Sequence, residues 1–84
     1  MPLNNKKAKE EMLIERKGLP KGYYETILGN KRYSVVDFGT TMKSHPMPAG
    51  IFLGWEAILV EENGELNSEK MFRANSWEEL YKQL

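Results

Sequence analysis

The sequence predicts an α+β domain in which two antiparallel β-hairpins form a four-stranded sheet. Three observations support this class. Apolar residues alternate with a period of two through the middle of the chain, two turn signals, "GN" and "NG", interrupt that alternation, and a capped helical pattern ends the chain. We expect an N-terminal helix and a short C-terminal helix to pack on the sheet.

The first predicted element is a helix that runs from Asn4 or Asn5 to about Lys17. Asparagine is a favoured N-cap, the residues that follow are good helix formers, and the "GLP" after them is a typical helix end. Its apolar residues form only a thin stripe, so we expect residues 1–20 to pack loosely on the domain.

The first hairpin is predicted from "YYETIL" and "KRYSVVDF", which Gly29–Asn30 joins as a two-residue turn. Glycine supplies the positive φ that such a turn requires. The predicted register places Tyr24 opposite Val35, Thr26 opposite Tyr33 and Tyr23 opposite Val36, with Glu25 diagonal to Arg32.

The second hairpin is predicted from residues 51–60, the most apolar run of the chain, and residues 65–74, which fold back at Asn63–Gly64. A two-residue turn there would place Trp55 opposite Phe72. It would also place Leu53 opposite Ala74, so that one face of this hairpin becomes a core surface.

The C-terminal helix is predicted from "NSWEEL". Ser76 is a favoured N-cap and Glu79 follows three residues later, which is a capping box. One apolar stripe follows at helical spacing, formed by Trp77, Leu80, Tyr81 and Leu84.

The length of 84 residues and the apolar fraction of 40% indicate one globular domain over 1–84 with a small core. The chain has no cysteine and one histidine, so neither a disulfide, a metal site nor a cofactor is predicted. No run is apolar enough for a signal peptide or a membrane span, and we therefore expect a soluble, cytoplasmic protein that does not bind membranes.

Residues 40–50, "TTMKSHPMPAG", are predicted to form a loop between the two hairpins and to be the main functional segment. The loop holds the single histidine, His45, but a general base needs an orienting partner that the sequence does not place beside it. We therefore expect a non-enzymatic protein.

We expect this domain to bind a protein partner, or a second copy of itself, through a sheet edge and the 40–50 loop. Methionines beside stiff prolines suit an adaptable contact surface. The predicted partner-binding residues are Met42, Lys43, His45 and Met47.

RNA or single-stranded DNA binding through the first hairpin is the alternative function. The net charge is zero, but residues 1–32 hold eight Lys and Arg against four Glu, and these cations alternate with tyrosines. A small-molecule pocket between sheet and loop is a third hypothesis. The residues of the nucleic-acid alternative are Lys21, Tyr23, Lys31, Arg32 and Tyr33.

No motif in the chain identifies a family. The layout "KGYYETILGNKRYSVV … GWEAIL … EKMF" resembles small strand-rich, SH3-like bacterial modules of unknown function. The resemblance implies a strand-rich fold, and it implies no site residue.

Overall fold

The computed structural model describes residues 12–44 and 52–84, which form a five-stranded antiparallel sheet and two short helices. Each strand pairs with the next one along the chain, so the sheet is a meander. The α+β class is confirmed, but the predicted strand count of four is wrong, and one of the two described helices lies in the middle of the chain, where no helix was predicted. In chain order the elements are β1 (Ile14–Glu15), β2 (Tyr23–Leu28), β3 (Lys31–Asp37), α1 (Phe38–Ser44), β4 (Trp55–Val60), β5 (Leu66–Ala74) and α2 (Trp77–Tyr81).

β1 replaces the end of the predicted N-terminal helix; residues 1–11 lie outside the described part of the chain. Ile14 pairs with Glu25, and the Arg16 amide donates to the Tyr23 carbonyl at 3.2 Å. Leu13 packs against the core, whereas Ile14 points to the opposite face. Good local helix propensity is thus overridden by strand pairing and by burial of one leucine.

The first hairpin has the predicted register throughout. Tyr24 lies opposite Val35 and Thr26 opposite Tyr33. The turn has positive φ at Gly29 (66°) and at no non-glycine residue of the described chain, which is typical of a type II′ turn. The match arises because a two-residue turn and a period-two pattern specify the same alignment.

Helix α1 covers the end of the predicted first hairpin and the start of the predicted 40–50 loop, where no helix was predicted. Asp37 ends β3 and caps the helix: its carboxylate accepts from the Thr40 amide at 3.3 Å and from the Thr40 hydroxyl at 2.6 Å. The Thr41 hydroxyl donates to the Lys21 carbonyl at 3.2 Å, which ties the helix to the turn before β2. Residues 40–44 are therefore helical, and residues 45–51 lie outside the described range.

The register of the second hairpin differs from the prediction. Ala57, rather than Trp55, lies opposite Phe72, and Trp55 lies opposite Ala74. The turn is a three-residue loop that ends in Gly64 at φ 89°, and the pairing then shifts between Ile58 and Leu59. Three residues of β5, 68–70, consequently have no partner on β4.

The C-terminal helix forms as predicted. The Ser76 side chain caps it by accepting from the Glu79 amide at 3.2 Å. Helix α2 packs on one face of the sheet, which we call the core face. The buried apolar residues of the described chain are few: Tyr33, Val35, Ala57, Trp77 and Leu80.

Candidate partner-binding surface

The structure describes two of the four predicted partner-binding residues. Met42 and Lys43 lie on α1, where Met42 is half-buried and Lys43 is exposed. His45 and Met47 lie outside the described residues. The described part of the 40–50 segment is thus a short helix at the end of the sheet, and not an extended loop.

The residues of the nucleic-acid alternative are divided between different surfaces. Tyr33 is buried in the core at 4% exposure, so its ring is not accessible to a base. Tyr23 and Arg32 point to the face opposite the core, and Lys31 follows the alternation of the core face at the exposed hairpin tip. Lys21 is exposed in the turn before β2. These side chains do not form one stacking platform.

The face of the sheet opposite the core face carries most of the exposed large apolar side chains of the described chain. Four of six lie there, at exposures of 46% for Ile14, 49% for Ile27, 57% for Leu66 and 41% for Met71. We call this surface the open face. Its residues, assigned from the strand register, are Ile14, Tyr23, Glu25, Ile27, Arg32, Ser34, Val36, Glu56, Ile58, Val60, Leu66, Met71 and Arg73.

One end of the open face is closed by a charged and aromatic cluster. The Arg73 Nε donates to the Glu56 Oε2 at 2.9 Å, and the Arg73 guanidinium lies 5.1 Å from the ring centre of Phe52. Glu56 is only 8% exposed because these side chains cover it. The exposed apolar side chains lie beyond this cluster: Ile14 and Met71 in the middle of the face, and Ile27 and Leu66 near the hairpin turns.

The middle of the open face carries a second ion pair. The Arg32 Nε lies 3.9 Å from the Glu25 Oε2, and both side chains remain partly exposed. Such a surface pair contributes about 0–1 kcal/mol to stability. The pair also places both signs of charge in the middle of the open face. Ile14 and Ile27 form one apolar margin beside it, and Leu66 and Met71 form the other.

A hollow of about 320 Å³ lies on the open face. Arg16 and Glu25 line it on one side, and Val60 and Leu66 line it on the other. Its volume is at the lower end of the range for ligand pockets. Its walls are partly charged and partly apolar.

The two edges of the sheet differ in length and in accessibility. β1 has two residues, whereas β5 has nine. The Gln83 amide nitrogen donates to the Arg73 carbonyl at 3.0 Å, so one backbone acceptor of β5 is already occupied. Together with the unpaired residues 68–70, this contact hinders the addition of a further strand to β5.

Tyr24 lies on the core face of the sheet, in β2 and opposite Val35. Its ring stacks on Trp55 with the ring centres 6.0 Å apart. Burial, followed by the negative charges of Asp37 and Glu15, raises the pKa of the Tyr24 hydroxyl above its usual value of 10.0. Tyr24 therefore stays neutral and acts as a packing residue.

Residues 12–44 and 52–84 bring together no group of three His, Cys, Asp or Glu side chains able to hold a metal ion. The helices within those residues are too short and too polar to cross a membrane.

The apolar side chains of the open face were not among the site residues predicted from the sequence. Ile27 could have been found, because it alternates with Tyr23 and Glu25 along β2. The other three depend on features without a local signal, namely the strand at Ile14 and the register shift that positions Leu66 and Met71.

Comparisons with protein-family models, with curated proteins and with solved structures find no match. The resemblance to SH3-like modules therefore has no support from them, and functional inference depends on the open face itself.

Proposed function

We propose that this chain is a non-enzymatic binding module that recognises a protein partner through the open face of its sheet. The observation that carries the proposal is the gathering of Ile14, Ile27, Leu66 and Met71 on one face at 41% exposure or more. Exposed apolar side chains that are scattered singly need no explanation, whereas Leu66 and Met71 continue into the half-buried Val60 and Ile58 beside them on the open face. An exposed apolar patch with polar neighbours is typical of an interaction site.

The polar groups of this face supply what a specific contact needs besides apolar area. Glu25 and Arg32 lie between the apolar margins and can pair with charges on a partner. The hollow between Arg16 and Leu66 has room for a partner side chain. The apolar residues supply contact area, and these polar groups determine the position and orientation in which a partner binds.

The 40–50 segment and the sheet edges remain predicted contact regions. Within that segment, Lys43 is exposed and Met42 is half-buried on α1. The cytoplasmic location also remains a prediction.

Nucleic-acid binding is the weaker proposal. Tyr33 is in the core, and Glu25 partly neutralises Arg32. Glu61 and Glu62 line a second hollow beside Lys31 and Arg32, where they would repel phosphates. If oligonucleotides bind and Lys31→Ala weakens that binding in a salt-dependent way, the protein-partner proposal is wrong.

The test of the proposal is affinity capture from a lysate of the native cells with three forms of the chain. Met71→Glu places a charge on the open face, and Leu19→Glu is the matched control because Leu19 has nearly the same exposure, 43%, away from the sheet. We expect the wild type and Leu19→Glu to capture the same protein and Met71→Glu to lose it. Equal capture by both variants, or a wild type that binds neither another protein nor a second copy of itself, would refute the proposal.

A further inference from the structure

We infer that the partner on the open face is a second copy of this chain and that two copies pack face to face about a two-fold axis. This inference rests on the proposed function, because it names the occupant of the same surface. An isologous contact needs a patch that is complementary to itself, and the composition of the open face meets that requirement.

Charge complementarity is the first argument for a second copy. The net charge of the chain is zero, so two copies approach each other without net repulsion. Glu25 and Arg32 are neighbours in the middle of the open face. If the two-fold axis lies in the plane of the dimer interface and passes between these two side chains, Arg32 of each copy lies over Glu25 of the other.

The distribution of apolar side chains is the second argument. The five buried apolar residues form a small core on one side of the sheet, while the other side leaves Ile14, Ile27, Leu66 and Met71 in water. Packing two open faces together would give the sheet a second apolar layer. Small domains commonly obtain by association the burial that a single core cannot supply.

The size of the patch determines the strength of such a dimer. Five strands at a spacing of about 4.8 Å span about 19 Å between the outer strands. Because one end of the face is closed by Arg73 and Phe52, the contact is smaller than the roughly 800 Å² per partner of a standard interface. We therefore expect a weak dimer, with a Kd in the roughly micromolar-to-millimolar range.

The alternative arrangement of two copies, an edge-to-edge pairing of β5 with β5, is disfavoured by the structure of that edge. Residues 68–70 interrupt the ladder, and Gln83 occupies the Arg73 carbonyl. A continuous intermolecular ladder needs regular unpaired backbone groups. A contact through the open face uses side chains and needs no such ladder.

Analytical ultracentrifugation of the full chain from about 10 µM to about 1 mM tests the inference, since this range brackets a weak interface. Ile27→Glu and Leu66→Glu alter opposite margins of the open face, and Leu19→Glu is the control. Each margin variant should raise the Kd at least about tenfold, because two-fold symmetry places every substitution in the interface twice. The control should change the Kd less than about threefold. Circular dichroism and thermal unfolding verify that each variant is folded.

The outcomes separate this inference from the proposed function. A monomer at every concentration, or a dimer that persists in both margin variants, overturns the face-to-face dimer. If the wild type is monomeric but captures another protein that Met71→Glu loses, the proposed function survives and the inference fails. If there is neither a dimer nor such a capture, both fail.

Discussion

Thr26 provides a sharp test of the packing described above. It is fully buried on the core face, opposite Tyr33, and its hydroxyl has no hydrogen-bond partner within the described residues. A buried hydroxyl without a partner destabilises a protein by about 1–3 kcal/mol. Valine has nearly the same shape and no hydroxyl. Thr26→Val should therefore raise the free energy of unfolding by about 1–2 kcal/mol.

Thr41 is a matched control in which the same substitution should have the opposite sign. It is as buried as Thr26, at 1% exposure, but its hydroxyl donates to the Lys21 carbonyl. Thr41→Val removes that hydrogen bond, whose net contribution is about 0.5–1.5 kcal/mol, and leaves the carbonyl without this donor. We expect Thr41→Val to lower the free energy of unfolding by about 1–2 kcal/mol.

Urea unfolding followed by tryptophan fluorescence measures both free energies. A domain of 84 residues has a total stability of about 4–13 kcal/mol. Each kcal/mol also shifts the Tm by about 4–8 °C, so thermal unfolding resolves the two variants. A loss of stability in Thr26→Val with an unchanged m-value would refute the reasoning, because it would mean that the Thr26 hydroxyl is hydrogen-bonded in solution.

Two further predictions concern Gly22 and Tyr24. Gly22→Ala should destabilise the chain by about 2 kcal/mol more than Gly18→Ala: both glycines have positive φ, but an added Cβ at Gly22 would collide with the Thr41 hydroxyl, whereas Gly18 has open space around it. Urea unfolding of the two variants compares them, and equal losses would contradict the steric argument. Because the pKa of Tyr24 is raised in the folded state, its contribution to stability is complete below pH 10.0 and is lost as the pH rises through the folded-state pKa. Tyr24→Phe should accordingly lose less stability than the wild type between about pH 9 and about pH 11, as measured by unfolding at each pH, and identical slopes would exclude this role.

Local sequence information was sufficient for the first hairpin and for the C-terminal helix. In the hairpin, Gly29–Asn30 and the alternation on both sides of it specify one alignment, and the structure has that alignment. In the helix, Ser76 and the stripe that begins at Trp77 lie within one short segment. Neither element requires knowledge of residues far away in the chain.

The elements that were not predicted from the sequence depend on distant contacts or on a change of register. Ile14 joins the sheet because β2 offers it a partner and because Leu13 beside it is half-buried against the core, although the segment has good helix propensity. The turn at Asn63–Gly64 was found, but its three-residue form and the unpaired residues 68–70 shift every later pair of β4 with β5. One such shift changes which residues face each other across the whole hairpin.

The sequence by itself determined the α+β class, the alternation of the strands, the first hairpin and the capped C-terminal helix, because turns, caps and periodicity act between residues that are close in the chain. Only the tertiary structure decided that a fifth strand forms at Ile14 and that α1 follows β3. It also decided that Ile14, Ile27, Leu66 and Met71 meet on one open face. The physical reason is that this surface is assembled from residues of three strands, β1, β2 and β5, and their coincidence depends on pairing and register across the entire sheet.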